Sequence, residues 1–486
     1  MKIIGGLSTS VYALMGTMFL IPMIHAGGYQ IKTFNTPSLG LANAGSAVQF
    51  GQVEYLSRNP ALIAYMNRHQ ASASASVVIP SIKFSNQGST LAGSNILIQG
   101  ENGGNSAKSG VIPAAYLGYS YNDRLKFAFG VTSEWGLETS YSNGWVGRYH
   151  NLKSSMRSVI MEPAVAYKIN EQVAFGAGVN IQYMHVKLTR AIDTASVLNT
   201  GIVQNVPAAA QRLALGAASG VGLGRDGSTR NDSHVELKGD DWGVGGSVGL
   251  TYQPQKATKF GVSYRSRVRH TLKGDKKITT PTAVNARLGA FGRAGGGVFA
   301  PLVAGINNNL SDSKIKADLT TPDTALLGAS HDVTPEWTVL GEITWTHWSK
   351  MQEIRVKTTN RTNVADDVTT LKWKNTFAYA TGLTYRPASL KNWTFRTGFA
   401  FDPTPVRTRD RIPAVPDNDR YWGAAGIGYE PNQQWNLSAS YAYEWLPKAK
   451  VKINPSLTSS ERLRGNLVGK YKSNVHIVSA QAVYRF

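Results

Sequence analysis

The sequence predicts an all-β protein, a transmembrane antiparallel barrel of about fourteen strands. Three observations carry that expectation. Apolar and polar residues alternate with period two from about residue 69 to the end, an apolar leader precedes this pattern, and the chain closes on an aromatic residue, Phe486.

The leader comes first in the chain. Lys2 supplies a weakly positive start, Val11 to Ile24 is an apolar run, and "IHA" ends on a small residue, Ala26. This is the pattern of a secretory signal peptide, residues 1–26, cleaved to leave Gly27 as the first mature residue. It is too short and wrongly flanked for a transmembrane helix, and no later segment approaches eighteen consecutive apolar residues. An exported chain without a single cysteine uses neither disulfides nor thiolate metal sites. Its net charge of +21 points to anionic lipid surfaces or anionic small ligands, since an exported chain has little access to nucleic acid.

The alternating segments follow in order. They fall at about 69–84, 110–123, 124–140, 155–169, 172–190, 233–253 and 257–274, and then at 313–332, 335–357, 370–387, 391–403, 419–430, 434–447 and 473–486. In "KFGVSYRSRVRH", Phe260, Val262, Tyr264 and Val268 share one face, and Ser263, Arg265, Arg267 and Arg269 share the other. "TFRTGFAFD" sets Phe395, Phe399 and Phe401 against Arg396, Gly398 and Asp402. A soluble sandwich also alternates. Here, however, the apolar face carries aromatics near the segment ends, as an interfacial girdle does, and the other face mixes Arg with Gly and Ala, as a polar lumen does. The last segment, "NVHIVSAQAVYRF", runs His476, Val478, Ala480, Ala482, Tyr484 and Phe486 along one side.

Two stretches interrupt the pattern, near 191–232 and 275–312, and both read as long extracellular loops with short helical pieces. They are rich in Ala, Leu, Val and Gly. Residues such as Leu213, Leu215, Phe291, Phe299 and Leu302 gain nothing from exposure to water, so the loops are expected to offer an apolar patch to greasy ligands.

Catalytic chemistry finds no footing. No histidine pair has metal-ligand spacing, there is no GxSxG elbow, and "GVGGSVG" (Gly243 to Gly249) lies in an alternating strand with no helix after it. The expectation is of no enzyme, no catalytic residue, no metal and no cofactor.

One further stretch stands outside the barrel pattern. "SRNPALI" (Ser57 to Ile63) combines Asn-Pro turn chemistry with an apolar tail. This stretch resembles the hatch motif of the FadL-type outer-membrane transporters of long-chain fatty acids and aromatic hydrocarbons. "GGYQ" (Gly27 to Gln30) is similar to that family's mature amino terminus. "SEWGLETSY", "YRSRVRHTLKGD", "VTPEWTVLGEITWTHWSKMQEI" and "RTRDRIPAVPDNDRYW" resemble its barrel segments in the same order, the last holding Pro416, Asp417, Asp419, Arg420 and Trp422 at similar spacing.

The resemblance implies a monomeric barrel, 69–486, in the outer membrane of a Gram-negative bacterium, recognised by the barrel-assembly machinery through Phe486. A small, partly helical hatch, 27–68, would plug its lumen. Asn59, Pro60 and Ala61 would belong to the hatch, and Gly28 and Tyr29 to a segment inside the lumen. A hydrophobic ligand would pass from the outer loops to a lumenal site and leave sideways into the membrane through a kinked third strand. Lipid and lipopolysaccharide would be the surroundings. Ser133, Trp135 and Gly136 are the kink candidates, because a glycine that breaks alternation marks a bend. Arg265 is the candidate partner for a ligand carboxylate. A general diffusion porin, with the same barrel but no plug, is the competing expectation. Stretches such as "WVGRYHNLKS" (Trp145 to Ser154) look nearer to the hydrocarbon-transporting branch.

Overall fold

The computed structural model describes residues 28–362, 364–455 and 461–486. The proposed leader and Gly27 lie outside the described residues. Fourteen antiparallel strands are described, and they close on themselves. The first seven are β1 Gln70–Asn86, β2 Gly110–Ser120, β3 in two halves (Leu125–Thr132 and Gly136–Ser140), β4 Lys153–Lys168, β5 Val173–Asp193, β6 Asp232–Gln255 and β7 in two halves (Thr258–Arg265 and Val268–Thr279). Three more divided strands follow: β8 (Ser313–Thr321 and Thr324–Asp332), β9 (Trp337–Thr346 and Glu353–Thr358) and β10 (Asp367–Thr370 and Thr376–Tyr385). The last four are β11 Trp393–Asp402, β12 Arg420–Tyr429, β13 Trp435–Ile453 and β14 Leu467–Arg485. β1 pairs with both β2 and β14, from Gln70↔Arg485 to Asn86↔Gly469, which leaves no free edge.

The wall shows why the alternation is there. Val77, Ile79, Leu117, Val248, Leu250 and Val478 are exposed on the outer face, where lipid replaces water. Aromatic pairs band the lower rim, including Trp337–Tyr385 and Trp435–Tyr484. The strands run past the membrane on the outer side, so β14 begins at Leu467 rather than near 473.

One face assignment is corrected. β7 breaks at Ser266 and Arg267, and its ladder against β6 shifts by one residue, from Arg265↔Ser247 to Lys273↔Asp240. A one-residue slip exchanges the faces. Val268 is therefore buried and Arg269 is exposed on the outside, the reverse of unbroken alternation. Arg267 turns to Asp323 (3.0 Å), not to the lumen.

Residues 28–68 fill the lumen. They carry one short helix, α1 Thr36–Gly40, capped by Asn35, and 3₁₀ turns at Ser46–Val48, Val53–Tyr55 and Pro60–Tyr65. The long loops form helix pairs: α2 Thr194–Asn205 with α3 Ala208–Gly220, and α4 Thr282–Arg293 with α5 Ala300–Asn309. Part of their apolar content makes a core of their own, with Phe291 stacked on Phe299 at 4.7 Å. Leu213 and Val298 stay exposed, 73% each.

Candidate functional site

The site starts from the plug. Asn59 caps the turn at Pro60: its Oδ1 accepts from the Ala61 N–H (3.0 Å) and its Nδ2 donates to the Ala47 carbonyl (3.1 Å). Pro60 and Ala61 press on Gly176 of β5, and Asn59 presses on Gly249 of β6. A Cβ at either glycine would overlap the turn, so the wall is built without side chains there. Arg58 donates to Glu342 (2.8 Å) and lies over the Phe34 ring at 4.3 Å. The hatch is thereby tied to the wall by buried, charge-assisted bonds.

Arg265 belongs to the same anchorage. Its guanidinium donates to Glu162 (2.7 Å), to the Ser57 carbonyl (2.7 Å) and to Asn180, with Glu134 3.6 Å away. It does not line the apolar cavity described below. The expected partner of a ligand carboxylate is thus engaged by protein groups beneath the cavity. Two carboxylates near one buried guanidinium require it there as a counter-charge.

Gly28 and Tyr29 rise above the plug. Asp417 accepts from the Gly28 N–H (3.1 Å), and Arg420 locks Asp417 from the other side (2.6 Å). The Asp417 motif is legible in the sequence, but its task of gripping the amino-terminal segment is not. Tyr29 is packed against Trp135, Trp348 and Trp373, with ring centroids 5.7, 5.0 and 5.5 Å away. Its phenol donates to the Thr320 carbonyl (2.9 Å), and burial pushes that phenol up and keeps its proton in place. These four rings form a floor.

Ser133, Trp135 and Gly136 stand where β3 divides. The ladder to β4 shifts by one residue, from Thr132↔Ile160 to Gly136↔Arg157. β2 and β3 part above Ala115↔Val131; among the described residues the chain just before β2 rejoins β3 through the bridge Ala107↔Thr139, with Ser140 N–H donating to the Ser106 carbonyl (2.7 Å). The vacated backbone is taken up by the amino-terminal segment: Gly136 N–H donates to the Tyr29 carbonyl (2.9 Å) and Ile31 N–H to the Glu134 carbonyl (2.7 Å). Ser158 serves Trp135 twice, accepting from its N–H (3.1 Å) and donating to its carbonyl (2.8 Å).

Above the floor lies a narrow apolar cavity of about 70 Å³, walled by Leu137, Met156, Leu272, Met351, Leu371 and their apolar neighbours. It shares Leu188, Leu237, Ile354 and Val356 with an upper chamber, also of about 70 Å³. There Arg190 and Arg464 each hold Asp367 at 2.6 Å, and the buried Nε of Arg464 has no hydrogen-bond partner among the described residues. Higher still, a groove of about 970 Å³ between the loop helices is lined by Leu213, Val298, Phe299, Leu302 and Ile306. Sequence reasoning missed Trp348, Met351, Leu371 and Trp373. Their signal was the loss of alternation after "EITWTHW" and at "LKWK", where β9 and β10 fold inward.

A closed barrel with an internal plug and an apolar lumenal cavity matches known proteins along its length. The family model described as outer membrane protein transport protein (OMPP1/FadL/TodX) matches residues 18–486. The chain belongs to the FadL/TodX family. FadL/TodX proteins transport hydrophobic compounds through the outer membrane and are transporters rather than enzymes. Among the relatives, a long-chain fatty acid transport protein of Escherichia coli O6:H1 is 28% identical over 87% of this chain and 88% of its own. A putative outer membrane protein of Neisseria meningitidis serogroup B is 27% identical over 97% of each chain. Among solved structures, a Pseudomonas aeruginosa FadL homologue has a TM-score of 0.76 at 22% identity, covering 94% of this chain and 100% of its own. The P. putida toluene transporter TodX has a TM-score of 0.64 at 16% identity, covering 95% and 99%. Both share the fold.

Proposed function

We propose that this FadL/TodX protein carries a long-chain, carboxylate-bearing hydrophobe, a fatty acid, from the outer surface into the outer membrane. The observation that carries the reading is the continuity of an apolar cavity with a chamber holding Arg190 and Arg464. A compact aromatic hydrocarbon needs only the first of these, whereas an amphiphile uses both. Each methylene moved from water into the cavity contributes about 0.8 kcal/mol, and the carboxylate comes to rest beside the guanidiniums of Arg190 and Arg464, in exchange with their present partners Asp367 and Glu461. Capture begins in the groove between the loop helices. Release is sideways, through the parted β2 and β3, once the Tyr29 segment lets go of Gly136. No energy source is required beyond partition into lipid. The filled lumen, with hatch and four-ring floor, argues against a general diffusion porin.

The test is uptake of oleate and of toluene, measured side by side in cells lacking other hydrophobe transporters and expressing this protein. Oleate uptake above background, reduced in Arg464→Gln, is the expected result. Toluene uptake without oleate uptake would transfer the protein to the hydrocarbon branch.

A further inference from the structure

We propose that the outer wall over β13, β14 and β1 is a binding site for the phosphates of an outer-leaflet lipid, lipid A. The site is on the lipid-facing exterior and separate from the lumenal path. Six lysines gather there: Lys448, Lys450 and Lys452 on β13, Lys470 and Lys472 on β14, and Lys83 on β1. The ladder sets Lys450 directly opposite Lys470, and Lys472 directly opposite Lys83. Their outward faces are exposed or half-exposed, and none of the six makes an ion pair among the described residues.

Like charges directly opposite on a sheet destabilise it, because their Cβ atoms stand only about 5 Å apart. Two such pairs side by side, with no acid interposed, create a local demand for anions. The neighbouring wall is built differently. Over β5 to β9 lysines also oppose one another, Lys187 facing Lys238 and Lys316 facing both Lys273 and Lys357, but acids are interleaved: Lys187 pairs with Glu236 (2.7 Å), Lys314 with Asp275 (2.7 Å), and Lys273 faces Asp240 across the ladder.

Its height identifies the anion. On β13 the outward residues run from Trp435 through Leu437 and Tyr441 to Trp445, and Lys448 comes next. Ten residues of a tilted strand climb about 25 Å, the height of the apolar band of such barrels. Lys448 to Lys452 therefore stand just above the upper aromatic girdle, where Trp445 is half-exposed and Tyr443 packs on His476 at 4.9 Å. On β14 and β1 the lysines also follow directly on the membrane-facing runs that end at Asn474 and Ser81. Anionic groups at that level, attached to acyl chains lying along the wall below, are lipid phosphates.

The test is titration of the purified full-length protein in neutral detergent with bisphosphorylated lipid A, followed by native mass spectrometry. Dephosphorylated lipid A and inorganic phosphate form the other arms. The quadruple variant Lys83→Gln, Lys450→Gln, Lys470→Gln and Lys472→Gln removes both like-charge pairs, so its fold is retained or improved, and its affinity should drop at least about tenfold. The corresponding Lys→Arg variant should bind like the native chain. So should Lys187→Gln with Lys314→Gln, both of which are paired to acids. Equal binding of dephosphorylated lipid A, or undiminished binding by the quadruple Gln variant, would overturn the proposal. Saturation by inorganic phosphate alone would also overturn it, reducing the cluster to a small-anion site.

Discussion

Of the breaks in the barrel wall, those at β3 and at β9 with β10 lie on opposite sides, and they are healed in different ways. At β3 the loose backbone is satisfied by groups from elsewhere: the Tyr29 carbonyl, the Ile31 N–H and the Ser158 hydroxyl. At β9 and β10 the ladder is lost between Thr346↔Thr376 and Glu353↔Thr370, but the excursion is satisfied mostly from within, borrowing the Asp323 carbonyl for His347 (2.9 Å) and the Pro405 carbonyl for Lys374 (3.0 Å). Leu371 and Lys372 both donate to the Gln352 carbonyl (2.9 Å), Trp373 donates to Met351 (3.2 Å), and Ser349 N–H donates to Asn375 Oδ1 (2.9 Å). A buried backbone group must be paired wherever it goes. A break that borrows its partners opens when they leave, whereas one that carries its own stays shut. On the lateral-release reading, β3 is the gate and β9–β10 is fixed wall that supplies Trp348 and Trp373 to the floor.

Tyr29→Ala should separate the two breaks most strongly. Removing a fully buried aromatic ring costs about 3–5 kcal/mol, and here the loss falls on the segment that holds Gly136. Amide hydrogen exchange at Gly136 should then speed up by on the order of 100-fold, while Trp373 N–H, bonded within its own excursion, changes little. Equal acceleration on both sides would show that the two breaks form one cooperative unit, and the contrast would fall.

A smaller effect is expected from single hydroxyl and amide deletions. Ser158→Ala leaves the buried Trp135 N–H and carbonyl without their partner, at about 1–3 kcal/mol. Its counterpart, Gln352→Ala, removes an exposed side chain whose Nε2 donates to Ser349 (2.7 Å) and Trp373 (3.3 Å), worth about 1 kcal/mol. Oleate uptake should change in Ser158→Ala and stay near native in Gln352→Ala. The reverse order would place the gate on the wrong strand.

These two regions also divide what was legible in the sequence from what was not. The strands, the plug turn at Asn59 and the bend at Gly136 are local properties: period-two alternation, Asn-Pro chemistry and a glycine out of phase. The pairing of residues hundreds of positions apart is not local, so nothing near Gly28 announces Asp417. Arg265 illustrates the limit. Its lumenal face follows from alternation, but two buried acids beside it are needed to know that its charge is already answered. Beyond Arg265 alternation itself fails, because one bulge reverses every later residue of β7.

The smallest expected effect separates the two sides by pH. His150 lies in the loop that follows β3, 3.1 Å from the Gly465 carbonyl, and burial, aided by the charges of Arg464 and Arg190, pushes its imidazole down to about 3. In the unfolded chain the same group titrates near about 6.5. Above that pH it is neutral in both states, and the loop keeps its full stability. As pH falls from about 6.5 towards 3, the opened loop takes up a proton that the closed loop refuses, so closure weakens steadily. The β9–β10 excursion contains no such group between Ser349 and Trp373. Limited proteolysis at about pH 7.5 and pH 5 should therefore show faster cutting in residues 141–152 at the lower pH, with residues 349–375 unchanged. His150→Gln, which keeps a donor for Gly465 but does not titrate, should abolish the difference. If it does not, the acid sensitivity belongs to another group, and the β3 side owes nothing to His150.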